Sequence, residues 1–210
     1  MYRSLSFILL ILLIVFAAIQ ITLPSRDSTH QVFNDSKNVE FESGVRRLRD
    51  GTVEVASLVS MPGVTSDMFR WWFSDYLQTT EHYRMWHPED HVWMGWEHKT
   101  LGKITGSHHL VHEYIGGELM KLRIQFTWPQ EILGYDPTDE NTVAICARVG
   151  ELESSLNIAE MCHVARNTPS GAELRSRFWL GVISDREAAG WQNFLLSLLA
   201  NNPISRQFAV

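Results

Sequence analysis

The chain has little cysteine and no excess of positive charge, and it contains neither an internal repeat nor a low-complexity tract. Its two cysteines, Cys146 and Cys162, cannot build a disulfide framework. Without a C-x-x-C spacing they also support neither a thiolate zinc site nor thioredoxin-like chemistry. Each falls in a strand-like run as a small hydrophobe, and one bridge between them becomes possible if the chain is exported. Lysine and arginine number 18 against 24 aspartates and glutamates, a net charge of −6. That balance excludes nucleic acid as a partner, which needs a basic face or groove. The short run Arg46-Arg47-Leu48-Arg49 reads as a solvated linker. Disorder is excluded as well, because 45% of the residues are apolar and only 20% charged.

What is present divides into three parts. From Phe7 to Leu23 the sequence is FILLILLIVFAAIQITL, preceded by Arg3 and interrupted by one strongly polar residue, Gln20. A tract of that length sits at the lower limit for a membrane-spanning helix, ~17–25 residues. The small residues Ala17 and Ala18 also suit a cleavable leader. Residues 1–23 are therefore read as a signal peptide or a membrane anchor, and the protein as membrane-anchored or secreted. Residues 24–50 are polar, carry the sequon Asn34-Asp35-Ser36 and read as a linker. The remaining length, 51–210, suits one α+β domain.

Within that domain Val53 to Met61 alternates as a strand and ends at Pro62-Gly63. Thr65 or Ser66 can cap a helix whose apolar residues fall at Met68, Phe69, Trp72, Phe73, Tyr76 and Leu77. A short helical piece, Glu81 to Trp86, stops at His87-Pro88. Gly106 to Ile115 and Glu118 to Thr127 are strands around Gly116-Gly117, a two-residue hairpin signal. Thr142 to Val149, Ser155 to Asn167 and Ala172 to Val182 continue the strands. Ser184 with Glu187 forms a capping box for a last helix, which is expected to bury Trp191, Phe194, Leu195, Leu198 and Leu199. A helix followed by antiparallel strands implies a curved sheet closing around a cavity.

Seven of the nine histidines lie between His82 and His112. Histidine and carboxylate are the usual neutral-pH metal ligands, and histidine the usual general acid or base. The run His87-Pro88-Glu89-Asp90-His91 places two imidazoles four apart beside carboxylates able to orient them. On the strand that follows, His109, Val111, Glu113 and Ile115 share one face, and His108, Leu110, His112 and Tyr114 the other. Glu118 has the parity of Met120, Leu122 and Ile124, so Glu113 and Glu118 are both candidates to point inward. His82, His98, His108 and His112 are read as surface or satisfied core residues.

Three stretches carry a family resemblance: Trp71-Trp72-Phe73; Tyr83-Arg84-Met85-Trp86-His87-Pro88-Glu89-Asp90-His91; and His112-Glu113-Tyr114-Ile115-Gly116-Gly117-Glu118. Together with Arg175-Ser176-Arg177-Phe178-Trp179-Leu180-Gly181 they resemble the diacetylphloroglucinol hydrolase and phloretin hydrolase family, from about Val53 to about Pro203. The resemblance implies a helix-grip, START-like fold around a ligand cavity. It also implies a zinc-dependent hydrolase that cleaves an aryl-ketone carbon–carbon bond, with a small aromatic or polyketide-like ligand. In the family one His, one Glu and a His-x-x-x-Glu pair on a long C-terminal helix hold the zinc. Carried over by motif, His91 and Glu113 match the first two ligands, with His87 and Glu118 as near alternatives. Tyr83 matches a substrate-contacting tyrosine, His163 a histidine near the acyl group, and Phe178 falls in the matching later strand as a further substrate contact.

After His163 the chain has no histidine, and Asn193 to Phe208 looks like the family's segment just before the long helix. The expectation is thus a helix-grip sheet without that helix and without half of its zinc ligands. Either His87, His109 or His163 completes a rearranged site, or the site is inactive, or the chain is a shortened gene product. The apolar concave face would then favour a homo-oligomer or another partner. A non-catalytic pocket for an aromatic ligand is the alternative function.

Overall fold

In a computed structural model of the protein, residues 23–34 and 39–201 are described, with the isolated positions 8, 10, 11 and 15. The expected leader or anchor lies almost wholly outside the described residues. Among them no helix is long and apolar enough to cross a membrane.

The period-two segments form one antiparallel sheet of eight strands: β1 Gly44–Arg47, β2 Val53–Pro62, β3 His91–Glu97, β4 His108–Ile115, β5 Glu118–Thr127, β6 Thr142–Glu151, β7 Leu156–Thr168 and β8 Gly171–Asp185. Their order across the sheet is β1-β2-β8-β7-β6-β5-β4-β3. The sheet is the expected α+β, helix-grip arrangement, curved around a cavity. The β4–β5 hairpin turns on Gly116 and Gly117 with Ile115 opposite Glu118. Both glycines have positive φ, 62° and 89°, which a two-residue hairpin turn of this hand requires and a side chain would resist.

Among the described residues five short helices flank the sheet: α1 Arg26–His30, α2 Ser66–Trp71, α3 Thr80–Trp86, α4 Pro129–Leu133 and α5 Gly190–Ala200. Thr65 caps α2, its hydroxyl accepting from the Met68 N–H at 3.2 Å. A π-helical turn, Trp72–Tyr76, extends α2 and brings round Leu77, which is buried. Phe69 and Phe73 pack with Phe126, Ile145 and Met161 on the concave face. Tyr83 of α3 packs there with Leu77, Met94 and Val111.

The convex face has its own core, built from Cys146, Cys162, Val164, Trp179 and Val182 under Ile132 and Leu133 of α4. Cys146 and Cys162 stand opposite each other on β6 and β7 and are joined by a disulfide. Parts of the stretch expected as a polar linker pack on this face. Phe33 and Leu48 are buried in its core, and the Trp179 indole N–H donates to Thr29 Oγ1 at 2.9 Å. The reason is local. Between the polar residues, 24–50 supplies the few apolar side chains that β6–β8 need on their outer side. Arg177 of β8, itself fully buried, donates to the Phe41 carbonyl at 2.7 Å and pairs with Glu54 at 3.4 Å.

The last helix departs from expectation in start and in burial. Ser184 does not cap it, because β8 runs on to Asp185 and Ser184 pairs with Asn157 of β7. The helix begins at Gly190, where the Gln192 side chain accepts from the Ala189 N–H at 2.7 Å. Its apolar stripe faces solvent: Trp191 is 66% exposed and Leu199 74%, with Phe194, Leu195 and Leu198 between. Polar contacts hold it instead. Asn193 both accepts from the backbone N–H of Asp185 and donates to its carbonyl, and Asn201 does the same with Ile183, all at 2.7–2.8 Å.

Candidate functional site

The concave face of the sheet, α2 and α3 enclose a cavity of about 480 Å³. Its walls are mostly apolar and rich in aromatic rings, with Phe69, Trp72, Trp86 and Phe178 among them. Such a volume lies within the range of small-molecule sites, ~300–1,000 Å³, where a few polar groups in an apolar shell set orientation.

Those polar groups come from α3, β3, β4 and β7. His91 opens β3 opposite Glu113 of β4. The His91 Nδ1 lies 2.8 Å from the Tyr83 carbonyl oxygen. A carbonyl only accepts, so Nδ1 carries a proton. That Nε2 faces Glu113 Oε2 at 3.9 Å. The Tyr83 hydroxyl donates to the same Oε2 in a very short hydrogen bond. Burial, reinforced by the adjacent carboxylate, raises the Tyr83 phenol far above its ordinary value, so it stays a donor. One tyrosine thus supports both residues, through its backbone and its side chain. Support of this kind is what metal-binding histidines and carboxylates use to fix their tautomer and direction.

His163 of β7 also lines the cavity, with its ring edge-on to Phe178 at 5.5 Å. Its Nδ1 shares a 2.7 Å hydrogen bond with Ser176 Oγ. Burial lowers its pKa to about 4, so it is neutral at pH 7. His109 of β4 faces inward as well, and desolvation lowers it to about 3.

The structure therefore brings Tyr83, His91, Glu113, His163 and Phe178 to one cavity. The near alternatives divide: His87 joins the cavity's lining and Glu118 does not. His87 is exposed at the rim, 3.3 Å from Asp90 Oδ2. Glu118 is exposed beside the hairpin turn and does not line the cavity. Among the described residues no third His, Cys, Asp or Glu converges with His91 and Glu113, so neither His87, His109 nor His163 completes a compact triad. A separate cluster does converge: Glu97, His98 and His108 have ligand atoms within 4.8 Å of one another. Its carboxylate is engaged by Arg123, whose Nη1 also lies 3.4 Å from His108 Nδ1. Glu97 is held below its ordinary pKa chiefly by that hydrogen bond.

Sequence reasoning overlooked Ser176. The signal was available, because the two-residue turn Pro169-Ser170 joins Thr168 to Gly171 and counting back from it sets Ser176 opposite His163. It also left β3 unassigned, the strand that presents His91.

Residues 23–202 match the family model described as the DAPG hydrolase PhiG domain. Over 158 residues the chain is 31% identical to a 2,4-diacetylphloroglucinol hydrolase of Pseudomonas protegens, covering 69% of this chain and 51% of that protein. It is 30% identical over 148 residues to a phloretin hydrolase of Eubacterium ramulus, covering 66% and 54%. The chain spans about half the length of these relatives. Among solved structures it is similar to ginseng major latex-like protein 151 of Panax ginseng, at 15% identity over 71% of this chain and 91% of that one, with a TM-score of 0.42.

Proposed function

Since the chain belongs to the DAPG hydrolase family, we propose that it hydrolyses the carbon–carbon bond between an acyl group and an electron-rich phenolic ring. The observation that carries this reading is the Tyr83–His91–Glu113 arrangement on the wall of an aromatic cavity. In the net reaction water supplies hydroxyl to the acyl carbon and a proton to the ring carbon, giving a carboxylic acid and a free arene.

The aromatic walls bind the ring face and exclude bulk water, which strengthens every polar contact inside. In this reading His163, held by Ser176 and neutral, hydrogen-bonds the acyl oxygen. Tyr83 orients the Glu113 carboxyl through its hydroxyl and the His91 ring through its backbone carbonyl. That donor set fits a zinc ion, which His91 and Glu113 would hold. When bound, zinc polarises a carbonyl and lowers the pKa of water to ~7. Catalytic zinc usually has three protein ligands, so we infer that these two residues alone bind it weakly.

The test is to incubate the full chain with 2,4-diacetylphloroglucinol, with and without added zinc, and to follow acetate release and the zinc content of the protein. Zinc-stimulated acetate release supports the reading. Binding without acetate at any zinc level would favour the second one, a non-catalytic aromatic-ligand pocket, which the two-donor cluster makes worth testing. Neither binding nor release would remove both.

We also propose that residues 1–23 direct the chain to a membrane or out of the cell. The buried Cys146–Cys162 bridge supports this, since such bonds persist mainly in oxidising compartments. Fractionation of cells making the full chain should find it in membranes or secreted. A cytoplasmic chain with an intact N-terminus would refute the proposal.

A further inference from the structure

The cavity's polar groups are not equally satisfied. His91 Nδ1 reaches the Tyr83 carbonyl, Glu113 accepts from the Tyr83 hydroxyl, and His163 Nδ1 is bonded to Ser176. His109 differs. Among buried side-chain polar atoms lacking a partner in the described residues, His109 Nε2 is the one whose residue borders the cavity. The residue is 3% exposed. Its ring is stacked on Trp96, with centroids 4.5 Å apart, and meets Tyr83 edge-on at 5.2 Å. Aromatic contacts on two sides hold the imidazole in place, so it cannot readily turn to find another partner.

A buried polar atom without a hydrogen bond costs ~1–3 kcal/mol. Such a group calls for an explanation, and for a residue that lines a cavity a bound ligand is one that can supply the partner. We propose that His109 is a specificity-determining residue that hydrogen-bonds a ring hydroxyl of the bound ligand. The inference rests on the reading of the cavity as an aryl-ketone site and deepens it by naming the group recognised. The chemistry selects the hydroxyl. A neutral imidazole nitrogen either donates or accepts according to tautomer, and a phenol O–H can answer both, whereas a ketone oxygen can only accept. Position separates the roles. His163, beside the acyl group in the proposed reaction, stands on β7, three strands across from His109 on β4. The two imidazoles would therefore address different ends of one ligand.

The test uses the full chain with two kinds of probe: trihydroxyacetophenone, and analogues each lacking one of its ring hydroxyls. Affinities are read by quenching of tryptophan fluorescence for wild type, His109→Leu and His109→Gln. One hydroxyl should matter most in wild type, its loss weakening binding ~5–100-fold. His109→Leu should weaken the trihydroxy probe by a similar factor and leave that analogue's affinity unchanged, while His109→Gln restores part of the preference. Melting temperature supplies the control. Removing an unsatisfied polar atom should leave His109→Leu as stable as wild type or more so, which a merely structural histidine would not do. Retention of the full hydroxyl preference in His109→Leu overturns the inference and would mean that a cavity water serves Nε2. Equal loss of both probes with a lower melting temperature also overturns it. If wild type binds neither probe, the aryl-ketone reading itself fails and takes this one with it.

Discussion

The Tyr83 and His91 rings lie face to face, 2° from parallel with centroids 3.7 Å apart. The residue that hydrogen-bonds Glu113 is therefore also the surface on which His91 rests. Removing the Tyr83 hydroxyl and removing its ring should have different consequences.

Tyr83→Phe keeps the stack and deletes only the hydrogen bond to Glu113. Zinc affinity, measured by competition with a chelator, should fall ~10–100-fold, the usual effect of losing a ligand's supporting partner. The melting temperature should move by only a few degrees. Zinc binding unchanged in Tyr83→Phe would detach the hydroxyl from any metal role.

Acid should destabilise the fold over a defined window. His30 is buried against Trp179, and desolvation lowers its pKa to about 4; His109 and His163 are lowered to about 3 and about 4 by the same cause. These imidazoles stay neutral in the folded state while unfolded histidine binds a proton near pH 6.5. The unfolded state thus takes up more protons as pH falls, and stability declines from about pH 6.5 down to the folded pKa values. Each buried histidine adds a slope of up to ~1.4 kcal/mol per pH unit. Urea midpoints between pH 7 and 4 should show the decline, and His30→Phe should flatten it. A flat profile in wild type would contradict the buried neutral imidazoles.

Reduction should weaken the protein without emptying the cavity, because the disulfide lies on the convex side. Cys146 and Cys162 are 16 residues apart. A bridge closing a loop of that size is worth ~3 kcal/mol. The double alanine variant should melt roughly 6–12 °C lower and still bind aromatic probes. Free thiols at both positions in the oxidised protein would remove the premise.

The exposed stripe on α5 should matter for association more than for folding. Replacing Phe194 and Leu198 by serine should change unfolding free energy by no more than ~0.5 kcal/mol, as for other surface sites. Hydrophobic-dye fluorescence and light scattering should both drop, since contiguous exposed apolar surface favours partners or aggregation. A loss of several kcal/mol would mean that the stripe packs against the fold.

The same helix marks where the sequence was a poor guide. Ser184 and Glu187 have the spacing of a capping box, but β7 offers Ser184 a strand partner in Asn157, and tertiary pairing outweighs the local cap. The stripe from Trp191 to Leu199 has a buried helix's period, which reports amphipathicity and not what covers it. By contrast Gly116-Gly117 and the alternation on both sides set the β4–β5 register unambiguously. The facing of His109 and Glu113 followed from that alternation. His91 was reached by resemblance, because β3 has too mixed a pattern to be read as a strand. Segments such as Phe33 and Leu48 were hidden in polar surroundings, since a single apolar residue has no period.

The disulfide and the arginine–glutamate pairs all sit on the side of the sheet that never meets the cavity. Side chains alternate, so a residue turned inward on β6, β7 or β8 has neighbours in sequence turned outward into those ties. Inherited changes at inward positions such as Met161, His163 or Phe178 can thus accumulate on a backbone anchored from behind. A lineage of such proteins is free to drift in what it recognises while its architecture stays put, and the convex side should be the slower of the two to diverge.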